Sequence, residues 1–340
     1  MQVQQDPRKA ILLMLRQAEE RGIDQSELQG RTGYSKSRLS EILTSLEREG
    51  RIVRQTTGGK KKRVWLKGFE PNAEKPIIRV GYLRSSEYIP ILSAIWEVAR
   101  DTGTAFSMRV YDSPIEISMD VSRGALEMGL APTVTQFLVA VVTSQTRILM
   151  PVATGGASVL ENTSSPQWRL ATSEMSSMMV LARAYSVAQR LEMVSFSSPV
   201  EALQGFTGGS ARYIAIWEPY RTVALSRPGV REVARFSDIL DSYPCCVLSV
   251  QREFTKGHMN VLRRIKEIYR DFQAQAGERF AASVLSRMRR DTGVDERTLL
   301  RSLASYRFLK EIDMEQIFSY MAYTGVPIGR DMITDSIIRI

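Results

Sequence analysis

Tyr34–Leu66 reads YSKSRLSEILTSLEREGRIVRQTTGGKKKRVWL. The stretch predicts a helix followed by a tight hairpin. Ser35 suits an N-cap, because its hydroxyl can accept from an orphan amide of the first turn. Leu39, Ile42, Leu43 and Leu46 recur at helical spacing as one apolar stripe. Lys36, Ser37, Ser40 and Thr44 fall away from it. Glu49-Gly50 ends the helix, and Ile52–Gln55 and Val64–Leu66 are β-prone runs joined through Gly58-Gly59. From Arg48 to Lys67 there are eight basic residues against one acidic residue, Glu49. Lys60, Lys61, Lys62 and Arg63 cluster at the expected hairpin tip. Such a run is either a solvated turn or a phosphate-binding surface.

Upstream, Pro7–Arg21 predicts an amphipathic helix with Ile11, Leu12, Leu15 and Ala18 on one face, closed by Gly22. Asp24-Gln25-Ser26-Glu27 has the capping-box pattern of a second, short helix carrying Leu28. The order helix, short helix, turn, helix, hairpin resembles the winged helix-turn-helix domains of MarR-like transcription regulators. The residues that carry the resemblance are GYSKSRLSEILTSLEREGRIV, the Gly-Lys tip and Val64-Trp65-Leu66. The resemblance covers about residues 1–68. It implies that Lys36, Ser37, Arg38 and Ser40 face a DNA major groove, and that Lys60, Lys61, Lys62 and Arg63 meet the backbone or minor groove. It also implies a double-stranded DNA operator as partner, read by a homodimer whose two heads occupy neighbouring half-sites.

The chain has 340 residues and a formal net charge of +9. Residues 1–76 carry a basic surplus of six, and the remaining 264 a surplus of three, so the positive charge is concentrated in the smaller part. Apolar runs of membrane-spanning length and a secretion signal are both missing from the pattern, which begins MQVQQDPRK. The expectation is a cytoplasmic protein with no membrane partner. Cys245 and Cys246 are adjacent, which disfavours a structural disulfide, and read as a small apolar pair. With His258 the single histidine and no spaced cysteine pairs, the expectation is no metal, no cofactor and no catalytic set.

Residues 69–76, FEPNAEKP, read as a linker stiffened by two prolines. From Ile77 strand-like runs alternate with helical ones. Expected strands lie at Ile77–Tyr82, Ala105–Tyr111, Met128–Ala131, Arg147–Ala153, Arg169–Thr172, Val194–Phe196 and Tyr213–Trp217. Expected helices lie at Ile89–Thr102, Pro114–Arg123, Val134–Thr143, Ser176–Leu191 and Pro199–Phe206, with a mostly helical tail from Lys256. Alternation of this kind predicts an α/β fold with helix-covered parallel sheets in two lobes.

Several motifs, in order, resemble the periplasmic solute-binding proteins of the sulfonate, nitrate and hydroxymethylpyrimidine branch. They are IRVGYL, SRGALEMGLAPTVTQ, PVATGGAS, RLATSEMSS, GSARYIAIWEPY and YPCCVLSV. The resemblance spans roughly residues 77–340. It implies a two-lobed type 2 periplasmic-binding-protein-like domain, with lobe I at about 77–160 and 247–340 and lobe II at about 165–243. A small polar molecule, such as a sulfonate or a pyrimidine, would sit between the lobes.

Each candidate ligand residue has a plain alternative. Glu87 and Tyr88 follow the first strand, at the carboxyl end where open α/β sheets bind ligands. Ser173 and Ser176 open a helix, whose amides would hold an anionic or polar group or merely be capped. Gly155 lets backbone approach a ligand, or makes a turn. Trp217 and Glu218 offer a stacking face and a carboxylate, or core. Thr133 completes the set. The whole predicts a ligand-responsive, DNA-binding transcription regulator. The alternatives are an enzyme related to pyrimidine-precursor synthases and a ligand-independent DNA-binding architectural protein.

Overall fold

The computed structural model describes residues 6–18, 21–56, 61–67, 70, 77–239, 244–274, 280–325 and 328–338. They form two compact units, Met1–Ile77 with Gly103–Ala105, and Ile78–Thr102 with Phe106–Ile340. Among the described residues no helix is long and apolar enough to cross a membrane.

The first unit runs α1 (Pro7–Ala18), β1 (Ile23–Asp24), α2 (Gln25–Thr32), α3 (Lys36–Arg48), β2 (Ile52–Thr56) and β3 (Lys62–Leu66). Its three strands form one antiparallel sheet in the order β1-β3-β2. The α3 stripe Leu39, Ile42, Leu43 and Leu46 is buried, and meets Ile11 and Leu15 of α1, Leu28 of α2 and Val64 of β3 in one core. The short strand β1 has no signal of its own, since two residues cannot show a period. Gly58, Gly59, Lys60 and linker residues 69 and 71–76 lie outside the described residues.

Two caps in this unit behave differently. The Ser35 hydroxyl accepts from the Arg38 amide at 3.3 Å. Asp24 precedes α2 but makes no side-chain cap. Its carboxylate takes the Arg63 guanidinium instead, at 2.9 and 3.3 Å. Replacing Ser35 by alanine is expected to cost about 1 kcal/mol of α3 stability. Hydrogen exchange at the first α3 amides measures this, and unchanged exchange would show the cap to be idle.

The second unit begins with β4 (Ile77–Leu83), a 3-10 turn (Ser86–Tyr88), α4 (Ile89–Asp101), β5 (Ala105–Tyr111), α5 (Pro114–Ser122), β6 (Met128–Pro132), α6 (Thr133–Thr143) and β7 (Thr146–Pro151). Then come β8 (Ala153–Gly155), β9 (Ala157–Asn162), β10 (Arg169–Thr172), α7 (Ser177–Gln189), β11 (Glu192–Ser195), α8 (Pro199–Thr207), β12 (Tyr213–Trp217), α9 (Tyr220–Leu225), β13 (Val230–Arg235) and α10 (Phe236–Ile239). The chain finishes with β14 (Cys246–Gln251), α11 (Arg252–Ala274), α12 (Ala282–Thr292), α13 (Glu296–Ser302), β15 (Tyr306–Phe308), α14 (Met314–Tyr323) and α15 (Arg330–Asp335).

Two five-stranded sheets define two lobes, β5-β4-β6-β14-β7 in lobe I and β11-β10-β12-β9-β13 in lobe II. The expected parallel sheets are mixed. Strand β14 runs antiparallel to β6 and β7, and β9 runs antiparallel to β12 and β13. Both are strands on which the chain arrives from the other lobe, so their direction reverses. The lobe boundary also moves. Strand β9 lies wholly in the lobe II sheet, so the crossing falls at about residues 152–156 rather than 160. At the first crossing β8 pairs with β15. Gly156 has φ +67, and a Cβ there would collide with the Tyr306 ring, so only glycine fits.

Candidate functional site

The loop after β4 turns Glu87 and Tyr88 into the space between the lobes, and both are buried. Opposite them stand Ser173, which follows β10, Ser176, which caps α7, and Trp217, which ends β12. Cys245 and Cys246, at the return crossing, close the base. All of these residues line one cavity, with Ser85, Asp112, Pro132 and Met178 among the others. The cavity measures about 30 Å³. Such a space holds about one water, so a larger solute enters only when the lobes part.

Most polar atoms here are engaged. The Trp217 indole N–H donates to the Arg84 carbonyl at 2.9 Å, and the ring stacks on Phe196 at 6.3 Å. Tyr88 donates its hydroxyl to Cys246 Sγ at 3.1 Å. Ser176 donates to the Ser173 carbonyl at 2.6 Å and accepts from the amides of Met178 and Met179. Ser177 donates to the Cys245 carbonyl at 2.8 Å. The α7 start thus has an ordinary serine cap that takes the Met178 and Met179 amides.

Glu87 is the exception. Its Oε1 accepts from Ser85 at 3.3 Å, while its Oε2 is buried without a hydrogen-bond partner. Burial drives its pKa up to about 7, against smaller downward pulls from the neighbouring Cys246, Ser85 and Tyr88 side chains. Burial likewise pushes the Cys246 thiol well above its ordinary value. The two sulfurs are 3.9 Å apart, and each cysteine is free.

Three expected ligand residues point elsewhere. Thr133 donates to the Pro244 carbonyl at 2.6 Å and serves to fix the return crossing. Gly155 lines a second cavity of about 440 Å³, together with Arg221, Arg235 and Ser305. Glu218 is wholly buried and held by Arg221 at 2.8 Å, Ser305 at 3.0 Å and the Thr222 amide at 2.9 Å. Trp217 and Glu218 are neighbours at a strand end, so their side chains leave on opposite sides. The cysteines, by contrast, join the site although their sequence reads as inert core. The signal that finds them is their position at the crossing strand, facing the loop after β4.

In the first unit Lys36, Ser37 and Arg38 are exposed, and Ser40 is half-buried. Lys60 lies outside the described residues. Lys61 is exposed, whereas Lys62 and Arg63 belong to β3 rather than to a hairpin tip. The pairing with Asp24 already neutralises Arg63.

Solved structures share this fold. An alkanesulfonate-binding protein from Xanthomonas axonopodis pv. citri, bound to MOPS, is 14% identical, with TM-score 0.62 over 79% of this chain and 100% of its own. The ligand-binding component of an ABC-type import system from Staphylococcus aureus, with zinc bound, is 11% identical, with TM-score 0.62 over 74% and 91%. The periplasmic nitrate-binding protein of Synechocystis is 9% identical, with TM-score 0.58 over 77% and 85%. No protein-family model matches the chain, and no curated protein matches it in sequence.

At these identities the likeness is one of fold, the α/β, two-lobed architecture of periplasmic binding proteins. These neighbours are binding proteins rather than enzymes. The comparison also corrects the reading as a DNA-binding transcription regulator. The matching structures include periplasmic sulfonate- and nitrate-binding proteins and a binding component of an ABC-type import system, so the operator-DNA partner and the cytoplasmic placement do not stand. The homodimer expectation rests on two heads sharing an operator and falls with it.

Proposed function

We propose that the second unit is a solute-binding domain, without catalytic activity, that holds a small polar molecule between its two lobes. One observation carries this reading. A buried carboxylate in the lining of a cavity formed from both lobes has one oxygen without a partner. An unpaired buried polar group costs free energy unless something occupies the place beside it. By likeness of fold, the role best supported is capture of a solute for import through a membrane permease. Glu87, Tyr88, Ser173, Ser176 and Trp217 are the binding residues of this reading. The order of helices and strands in the first unit, with its β1-β3-β2 sheet, supports a winged helix-turn-helix arrangement for that unit.

A thermal-shift screen of the full chain against small metabolites tests the reading. A ligand at 100 times its Kd adds about 2.7 kcal/mol of stability. Ser176→Trp fills the cavity and is expected to abolish the shift produced by any ligand so found. A variant that still binds normally would move the site elsewhere.

A further inference from the structure

Among the described residues, no arginine, lysine or histidine lines the cavity around Glu87. Its two carboxyl groups are those of Glu87 and Asp112. Arg84, which pairs with the cavity residue Asp112, is committed to that carboxylate and to the Asp291 carbonyl, and lines a different cavity with Arg290. The hydrogen-bond balance has the same sign. The hydroxyls of Tyr88, Ser176 and Ser177 and the indole N–H of Trp217 all donate to protein acceptors. The free group is an acceptor, Glu87 Oε2. An anion placed here would meet a carboxylate with no cation and little beyond the Ser173 hydroxyl to hold it, and desolvating it would go largely uncompensated.

We infer that the cleft selects a small organic base, whose cationic or N–H-bearing nitrogen donates to Glu87 Oε2. This rests on the solute-binding reading above and names its ligand class. The base brings what the site lacks, a donor and a counter-charge for a buried carboxylate. The Trp217 indole in the same lining offers a flat face to a planar cation. The selection is opposite in sign to that of the sulfonate and nitrate binders that share the fold. The fold supplies the cleft, and the side chains at its base set the charge accepted.

The test measures binding of benzamidine, ethanesulfonate, nitrate and zinc to the reduced full chain by calorimetry at pH 8. Benzamidine is expected to bind. Glu87→Gln is expected to weaken it about tenfold or more, the worth of one charge-assisted hydrogen bond. Ethanesulfonate and nitrate are expected not to bind. The wild-type comparison of base against anion stands whether or not the Gln variant folds. Binding of an anion with no binding of benzamidine overturns the inference and leaves the solute-binding reading intact. The Glu87 carboxyl and the two thiols also lie within 4.8 Å of one another. Uptake of zinc with no binding of the base would therefore assign the cavity to a metal ion and overturn the inference. If none of these probes binds and a metabolite library gives no thermal shift, both readings fall.

Discussion

Glu218→Ala is expected to lower the unfolding free energy of the chain by about 3–5 kcal/mol, the usual cost of removing one partner of a buried ion pair. The carboxylate is 0% exposed and uses both oxygens. One accepts from Arg221 at 2.8 Å and from Ser305 at 3.0 Å, and the other accepts from the Thr222 amide at 2.9 Å. Truncation leaves the half-buried Thr222 amide without its acceptor and takes one carboxylate from Arg221, whereas the exposed Ser305 can turn to water. Arg221 keeps a second carboxylate, Glu232, at 2.5 Å. Burial pushes Glu232 up, but hydrogen bonds from Ser158, Arg235 and Arg221 hold it at about 2. It therefore stays charged across the usual working range. The surviving pair sets the loss towards the lower end of the range. Glu218→Gln retains an oxygen for Thr222 and should lose less. Urea unfolding measures both variants. An alanine variant within 1 kcal/mol of wild type would mean that the Arg221 network closes up without Glu218.

Glu218 also shows where sequence reading stops. The alternation of strands and helices in residues 77–217 is legible because each element carries its own period. Most of the expected elements coincide with observed ones to within a residue or two at each end. Strand direction is not local information. Strand β9 is not among the strands expected from the sequence, and nothing in the composition of β9 or β14 says that they run against their neighbours. Side-chain partnership is likewise hidden. Arg63 looks like part of a free basic cluster until Asp24, 39 positions earlier, is seen beside it. Of the candidate ligand residues, those placed by strand ends and a helix start, Glu87, Tyr88, Ser173, Ser176 and Trp217, come together. Thr133, Gly155 and Glu218 lie within the right motifs but serve the crossings between the lobes. The two cysteines escape notice because apolar neighbours make a thiol look like core. Only the return of the chain at β14 sets them opposite Glu87.

Stability without ligand is expected to fall as pH rises from about 5 to 8, and Glu87→Gln is expected to remove most of that fall. The ordinary glutamate value is 4.5, and burial raises it to about 7 in the folded chain. A carboxyl with a raised folded-state pKa binds its proton more tightly when folded. Its contribution is therefore fully present below the unfolded value and is lost as pH climbs through the folded one. The difference amounts to roughly 3 kcal/mol once both states are ionised. The groups facing the carboxyl offer little relief, because Cys246, Ser85 and Tyr88 pull it down by less than burial raises it, and Asp112 in the same cavity brings no positive charge. Urea unfolding of wild type and variant at pH 5, 6, 7 and 8 measures the effect. The curves should approach each other at pH 5 and separate by pH 8, with the variant the more stable. Parallel curves would mean that Glu87 is already ionised and hydrated in the folded chain. A bound organic base, by pairing with the ionised carboxylate, should restore the wild type above pH 7 and leave the variant little changed.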